Sequence, residues 1–275
     1  MDPFGWRKRK EAPDTLAHLY LNIGSASSWA NFGYWKNTKE YPTAARNLAL
    51  LLGEAATLSA DDRVLDLGCG CGDQLSVWSE TFGIPSNRIV AINSSQEQVS
   101  YAEKKWRGLL PSLDLRFADA DSLTEFPDDS YDKILCLDSA YFFRDRRKFI
   151  KETFRILKPG GKFCSAELVF AAVKLSWKER LERNILSFLA GIPSSNRFSY
   201  EELAGLHAAE GFEQTSFEIL DEYVFDGFAE FLQKVLPSME GVPSGLALRY
   251  LRFGEFLASE KRRKFFRYVL YTLQK

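Results

Sequence analysis

The sequence predicts an α/β fold in which a largely parallel sheet is covered by helices on both faces. Three observations carry that prediction. Short, β-branched apolar runs alternate with helical stretches between residues 60 and 170. A glycine-rich turn follows the first of those runs directly. Finally, 275 residues with 45% apolar and 14% aromatic content can bury a sizeable core.

Taken in order, residues 1–59 read as a helical, aromatic N-terminal segment, interrupted by the loop "SSWANFGYW". Residues 60–170 form the sheet-bearing core, with strand candidates in "RVLDLG", "RIVAIN", "LDLRFADA", "YDKILCLD" and "GKFCSAEL". Residues 171–275 read as a mainly helical cover. It opens with the helix "KLSWKERLERNILSFLAG", offers a further strand in "EQTSFEIL", and is expected to end in aromatic-rich helices from about Leu246.

Charge and cysteine usage narrow the classes. With 36 basic against 37 acidic side chains the net charge is -1, which gives no general attraction to nucleic acid. The N-terminal "MDPFGWRKRK" lacks the apolar run of a secretory signal, and no stretch is apolar enough to span a bilayer. A cytoplasmic protein is therefore expected. Cys69, Cys71, Cys136 and Cys164 lack the spacing of a disulfide framework and read as reduced thiols, and no metal site is expected.

The strongest chemical signal is "VLDLGCGCGD", where an apolar strand ends near Asp66 and delivers Gly68, Gly70 and Gly72 ahead of a helix. Glycines there let backbone approach a ligand closely. The spacing is neither the dinucleotide Gly-x-Gly-x-x-Gly nor a P-loop, and the acid that follows, Asp73, is expected to form a rim suited to a cationic ligand. The next strand, "RIVAIN", ends in Asn93, where many nucleotide-binding folds place a ribose-binding carboxylate.

These motifs, in this order, resemble the class I S-adenosylmethionine-dependent methyltransferases over roughly residues 60–170. "VLDLGCGCG" is similar to their first motif, "FADADSL" to their adenine segment, "FPDDSYDKILCLDSAYFF" to their fourth strand, and "FRILKPGGKF" to the turn into the fifth. "AINSSQEQ" looks most similar to the branch of sterol, tocopherol and cyclopropane-fatty-acid methyltransferases. The resemblance implies a Rossmann-like, mostly parallel seven-stranded sheet and S-adenosylmethionine as cofactor. It implies that Gln98 replaces the missing carboxylate at the ribose, with Asn93 and Ser94 adding contacts, and that Asp66, Gly68, Cys69 and Gly70 form the first cofactor turn. Asp119 and the backbone N–H of Ala120 would read adenine, and Asp138 would stand beside the cofactor. Tyr34 and Trp35 would meet its methionine part, unless their rings pack as core.

The expected chemistry is direct in-line methyl transfer to an N, O or C atom of a small or lipid-like acceptor, with a base needed only if the acceptor arrives protonated. Asp138, Tyr141, Glu167 and His18 are the candidate bases. Many members of this branch carry His after the fourth strand, where this chain has Phe142, and His207 reads as structural. A cofactor-binding protein without transfer and an RNA methyltransferase are the alternatives, although no nucleic-acid module is visible. Both the "KLSWKERLERNILSFLAG" helix and the C-terminal basic, aromatic stretch are expected to cover the sheet and the acceptor. Peripheral membrane contact is an option for the latter.

Overall fold

The computed structural model describes residues 16–120 and 123–275. Its centre is a seven-stranded sheet in the order β3-β2-β1-β4-β5-β7-β6. The strands are β1 (Val64–Leu67), β2 (Ile89–Asn93), β3 (Asp114–Phe117), β4 (Tyr131–Leu137), β5 (Leu157–Phe170), β6 (Glu213–Ile219) and β7 (Phe266–Gln274). β1 to β5 pair in parallel, and β7 runs antiparallel to both β5 and β6. Because β1 has β2 on one side and β4 on the other, the chain reverses its direction of travel across the sheet at β1. Loops leaving the carboxyl ends of β1, β2 and β4 then splay apart into a crevice.

The two faces are covered by different helices. α1 (Tyr41–Ala55), α2 (Asp73–Glu80) and α3 (Gln96–Trp106) contribute to one buried cluster with Val64, Ala91 and Leu135. α4 (Arg146–Ile156) and α6 (Tyr200–Glu210) join the other, with Leu65, Ile92 and Ile134. Neighbouring residues of one strand thus feed opposite layers, as the period of two requires. Side chains fix the helix starts: Ser95 and Asp145 accept from the backbone N–H three residues on, and Ser199 with Glu202 forms a capping box.

Three expectations about the C-terminal third need correction. Phe266–Gln274, expected as helix, is the inserted strand β7. It lies between β5 and β6 and is buried on both faces, so its apolar run lacks the alternation that marks a half-exposed strand. The basic, aromatic stretch before it does not present an apolar face. Of its rings, Phe265 and Phe266 are buried, Phe253 and Phe256 pack against the core, and buried Arg262 lies over the Phe225 ring while donating to Asp226 at 2.7 Å. This stretch comprises α8 (Ser244–Ala258) and α9 (Glu260–Phe265); ahead of it, α7 (Gly227–Glu230) is flanked by the π-helical turns Glu222–Asp226 and Phe231–Val235. Finally, α5 (Trp177–Leu189) does not cover the sheet with its apolar stripe, because Trp177, Leu181, Ile185, Phe188 and Leu189 are all exposed.

Of the N-terminal segment expected to be helical, residues 1–15 lie outside the described residues. Ala17–Asn22 form a short 3-10 turn, and the loop that follows donates from Ser28 to Asp73 of α2 and from Phe32 N–H to Asp138 after β4 before it reaches α1.

Candidate functional site

The turn after β1 is built from backbone. Gly68 and Cys69 N–H both donate to the Ile92 carbonyl, at 2.9 and 3.1 Å, which binds the turn to the end of β2. Gly68, Gly70 and Gly72 all have positive φ, but for different reasons. A Cβ at Gly68 would stand 2.5 Å from Ser139, and one at Gly72 would stand 2.9 Å from the Trp106 indole. At Gly70 a Cβ would meet no protein atom within 4 Å. Packing therefore explains the first and third glycines, whereas the second borders open space.

Asp66 sits under this turn. It is fully buried and accepts from Trp78 Nε1 at 2.6 Å and Gln74 Nε2 at 3.3 Å, and Gln74 also donates to the Cys69 carbonyl. Burial raises its pKa to about 6. Its side chain is engaged by Trp78 and Gln74 and so fixes the turn from below. The Cys69 thiol is also buried, so of this residue only the backbone borders the crevice.

At the end of β2, the two amides singled out in the sequence meet. Asn93 Oδ1 accepts from Gly70 N–H at 3.2 Å, and Asn93 Nδ2 donates to Gln98 Oε1 at 2.8 Å. Asn93 is buried and Ser94 beside it is exposed. Ser95, which the sequence reading passed over, caps α3 and so places Gln98 in the first turn of that helix. Asp119 and Ala120 follow β3, and the Ala118 N–H just past that strand donates to the Asn93 carbonyl. The polar ends of β1, β2 and β3 therefore lie together.

Asp73 does not form an open acidic rim. It is buried, and Lys105 Nζ donates to both its oxygens at 2.9 Å. Ser28 N–H donates at 3.1 Å, and the Ser28 hydroxyl donates to Oδ2. The carboxylate is neutralised where it stands and ties the N-terminal loop to α2 and α3. A lysine 32 positions away in sequence carries no local signal of this pairing.

The acid–base groups gather at the end of β4. Asp138 occupies the left-handed region at φ 54°, where a non-glycine residue is strained, a condition that concentrates at functional sites. Its oxygens accept from Phe32 N–H at 2.8 Å and from the Tyr141 hydroxyl at 3.0 Å, with the Tyr268 hydroxyl beside them. Burial is the main reason its pKa rises to about 7; the hydrogen bonds act the other way. Burial also holds the Tyr141 and Tyr268 phenols well above their usual value. Tyr268 lies on β7, so assigning that stretch to helix hid it. Phe142 is exposed, with its ring 4.4 Å from that of Tyr141.

Glu167 is elsewhere engaged. It is buried in an ion pair with Arg146, and it accepts from the Tyr271 hydroxyl at 2.6 Å and the Ser165 hydroxyl at 3.1 Å. Arg146 is itself fully buried, and this carboxylate favours its charged form. That corrects the expectation of a base at Glu167, because its buried carboxylate is taken up by Arg146, Tyr271 and Ser165 and is not turned toward an acceptor. His18 is brought to the glycine turn, its Nε2 3.5 Å from Cys71 Sγ. His207 is buried among Phe163, Phe212 and Tyr271, and burial lowers its pKa to about 3, a structural histidine as expected.

For the aromatic loop, the packing alternative is the one the side chains adopt. The Trp35 ring is buried against Tyr41, Phe228 and Phe231, and Gly227 exists where its Cβ would lie 2.2 Å from Trp35. Tyr34 pairs with Tyr223 at 5.3 Å near Glu218 of the edge strand β6. Both rings are engaged in packing with other aromatic side chains. Phe32, between Phe228 and Tyr268 and tethered to Asp138, is the loop ring nearest the acid–base cluster.

Comparison with known proteins places this geometry. Residues 65–165 match the methyltransferase-domain family. Over 145 residues the chain is 32% identical to erythromycin 3''-O-methyltransferase of Saccharopolyspora erythraea, covering 52% of this chain and 46% of that protein. The chain thus spans about half the length of that relative. It is 27% identical over 220 residues to the O-methyltransferase resE of Aspergillus sclerotiorum, covering 78% of this chain and 80% of the relative. Among solved structures, the [4+2]-cyclase SpnF superposes with a TM-score of 0.72 at 25% identity, over 95% of this chain and 93% of that one.

Proposed function

We propose that this chain, whose sheet-bearing core belongs to the class I S-adenosylmethionine-dependent methyltransferases, transfers a methyl group from S-adenosylmethionine to a small or lipid-like acceptor. The observation that carries the reading is the Gly70–Asn93–Gln98 linkage at the end of β1 and β2. The residues fit the cofactor: Gly70 leaves space where a side chain would stand, and two amides offer both donors and acceptors to a ribose. Asp119 and the Ala120 N–H lie at the neighbouring strand end, on the side where adenine would rest. When bound, S-adenosylmethionine supplies an electrophilic methyl on a sulfonium.

The chain's own residues supply position and proton handling. The tether from Phe32 N–H to Asp138 holds the N-terminal loop against the end of β4. Asp138, with its pKa near 7, is the group able to take a proton from an acceptor hydroxyl or amine at neutral pH. Tyr141 orients that carboxylate, and His18 stands by as a second candidate base near the turn. The rings of Phe32, Tyr141 and Phe142 give the adjoining surface an apolar character suited to an acceptor with a substantial hydrocarbon part.

A second reading keeps the cofactor crevice without methyl transfer. It is favoured by Phe142 at the position where His is common in this branch, and by likeness to a protein described as a cyclase. Methyl-labelled S-adenosylmethionine separates the two. The first reading predicts label in prenylated, sterol-like or fatty-acyl phenols and amines, and less in short polar amines. S-adenosylhomocysteine binding with label entering no acceptor supports the second.

A further inference from the structure

The helix α5 is a polar-faced helix turned inside out. Its inner face packs through Leu186 and buried Ser187, with the Arg183 guanidinium 4.5 Å from the centre of the Phe170 ring. Its outer face carries Trp177, Leu181, Ile185, Phe188 and Leu189, a stripe at the helical repeat. These are not grazing exposures: Phe188 is 73% exposed and Trp177 68%. A stripe of large side chains left in water marks a surface that is covered in use.

The charges around the stripe indicate what covers it. Both carboxylates of α5 are turned aside into ion pairs with α9, Glu182 with Lys261 at 2.9 Å and Glu179 with Lys264 at 3.3 Å. Lys178 and Arg180 on α5, and Lys174 just before it, are exposed. At its N-terminal root, Val173, Lys174, Leu175, Arg180 and Arg183 line a groove, and the buried Nε of Arg183 has no hydrogen-bond partner among the described residues. Apolar stripe, basic rim and a groove rich in cationic donors are complementary to an apolar layer topped by phosphates.

We propose that α5 docks on an anionic lipid surface, its stripe entering the acyl boundary and its lysine and arginine rim meeting phosphate headgroups. Thirteen residues lie along the interface rather than crossing it, and among the described residues no helix is long and apolar enough to cross a membrane. A docked α5 brings the rings at the carboxyl end of β4 close to the surface, since a Cβ at Gly191, just past the helix, would lie 3.9 Å from Phe142. An acceptor drawn from lipid would then reach the crevice without crossing water. Docking rests on the exposed helix face and not on methyl transfer.

The test is co-sedimentation of the full chain with phosphatidylcholine vesicles, with and without phosphatidylglycerol. The expected result is retention on the anionic vesicles, reduced at about 1 M salt, where the Debye length is near 3 Å. W177S/F188S and K174E/R180E should each lose retention while binding S-adenosylhomocysteine as the parent does. These positions are exposed, so folding is not at stake. Failure of the parent to sediment with either vesicle overturns the proposal, as does equal retention of both variants. So does a concentration-dependent dimer in sedimentation velocity that W177S/F188S abolishes while vesicles retain nothing, which would make the stripe a contact between copies.

Discussion

Asn93 holds Gly70 with one end of its amide and Gln98 with the other, at 3.2 and 2.8 Å. A turn after β1 and a helix after β2 are thereby locked to one side chain. Sequence reasoning gave the main ribose contact to Gln98 and a lesser part to Asn93, and the bridge changes that expectation. If the crevice holds the cofactor as proposed, Gln98→Ala would remove a contact to it, while Asn93→Ala would also release the Gly70 backbone and free Gln98 to turn. Each is expected to weaken S-adenosylhomocysteine binding by on the order of 1–3 kcal/mol, with Asn93→Ala costing at least as much. Calorimetry in which Asn93→Ala binds like the parent would show that the bridge is ornamental.

The three glycines of the turn separate packing from ligand space. Gly68→Ala places a Cβ 2.5 Å from Ser139 and should lower the melting temperature. Gly70→Val meets no protein atom near its Cβ, so it should cost only the strain of φ 57°, about 1–2 kcal/mol, yet abolish cofactor binding. Equal thermal losses for both variants, in melts read beside binding isotherms, would contradict this assignment.

Asp138 predicts a pH profile. If its carboxylate takes the acceptor's proton, kcat/KM rises with pH through about 7, and Asp138→Asn flattens that limb and lowers the rate by roughly 10²-fold or more. Stability should run the other way. The folded pKa lies above the usual 3.8, so the stabilisation from Asp138 is full below that value and is lost as pH rises through about 7. Melts of parent and Asp138→Asn across this window should converge at the acid end. An unchanged activity limb in the variant would move the base to His18.

Glu167 makes the opposite prediction. Glu167→Gln leaves the Arg146 guanidinium buried without its counter-charge, which costs on the order of 3–5 kcal/mol of stability. At temperatures where it remains folded, turnover and its pH dependence should match the parent. A stable variant with a missing pH limb would restore Glu167 as the base.

What was legible in the sequence was local. The glycine turn, the strand ending at Asn93 and the residues from Asp138 to Tyr141 each follow from a short run whose backbone demands specific residues, and each sits at the predicted strand end. What escaped was set by partners distant in sequence. Asp73 read as a free acid because Lys105 and Ser28 reach it only in the fold, and Glu167 read as a free base because Arg146 and Tyr271 do the same. β7 was misread because a strand buried on both faces carries no alternation, and Tyr268 was lost with it. The β-branched and aromatic run "FRYVLYTL" was the available signal. The stripe of α5 was visible at its true spacing, but periodicity states which residues share a face and not which way that face points.

The central claim is that the crevice at the ends of β1 and β2 holds an S-adenosyl nucleoside, and isothermal titration of the purified chain tests it most directly. S-adenosylhomocysteine and S-adenosylmethionine should bind at a single site, Gly70→Val should bind neither, and NAD should neither bind nor compete. Tight NAD binding with no heat from S-adenosylhomocysteine would contradict the account.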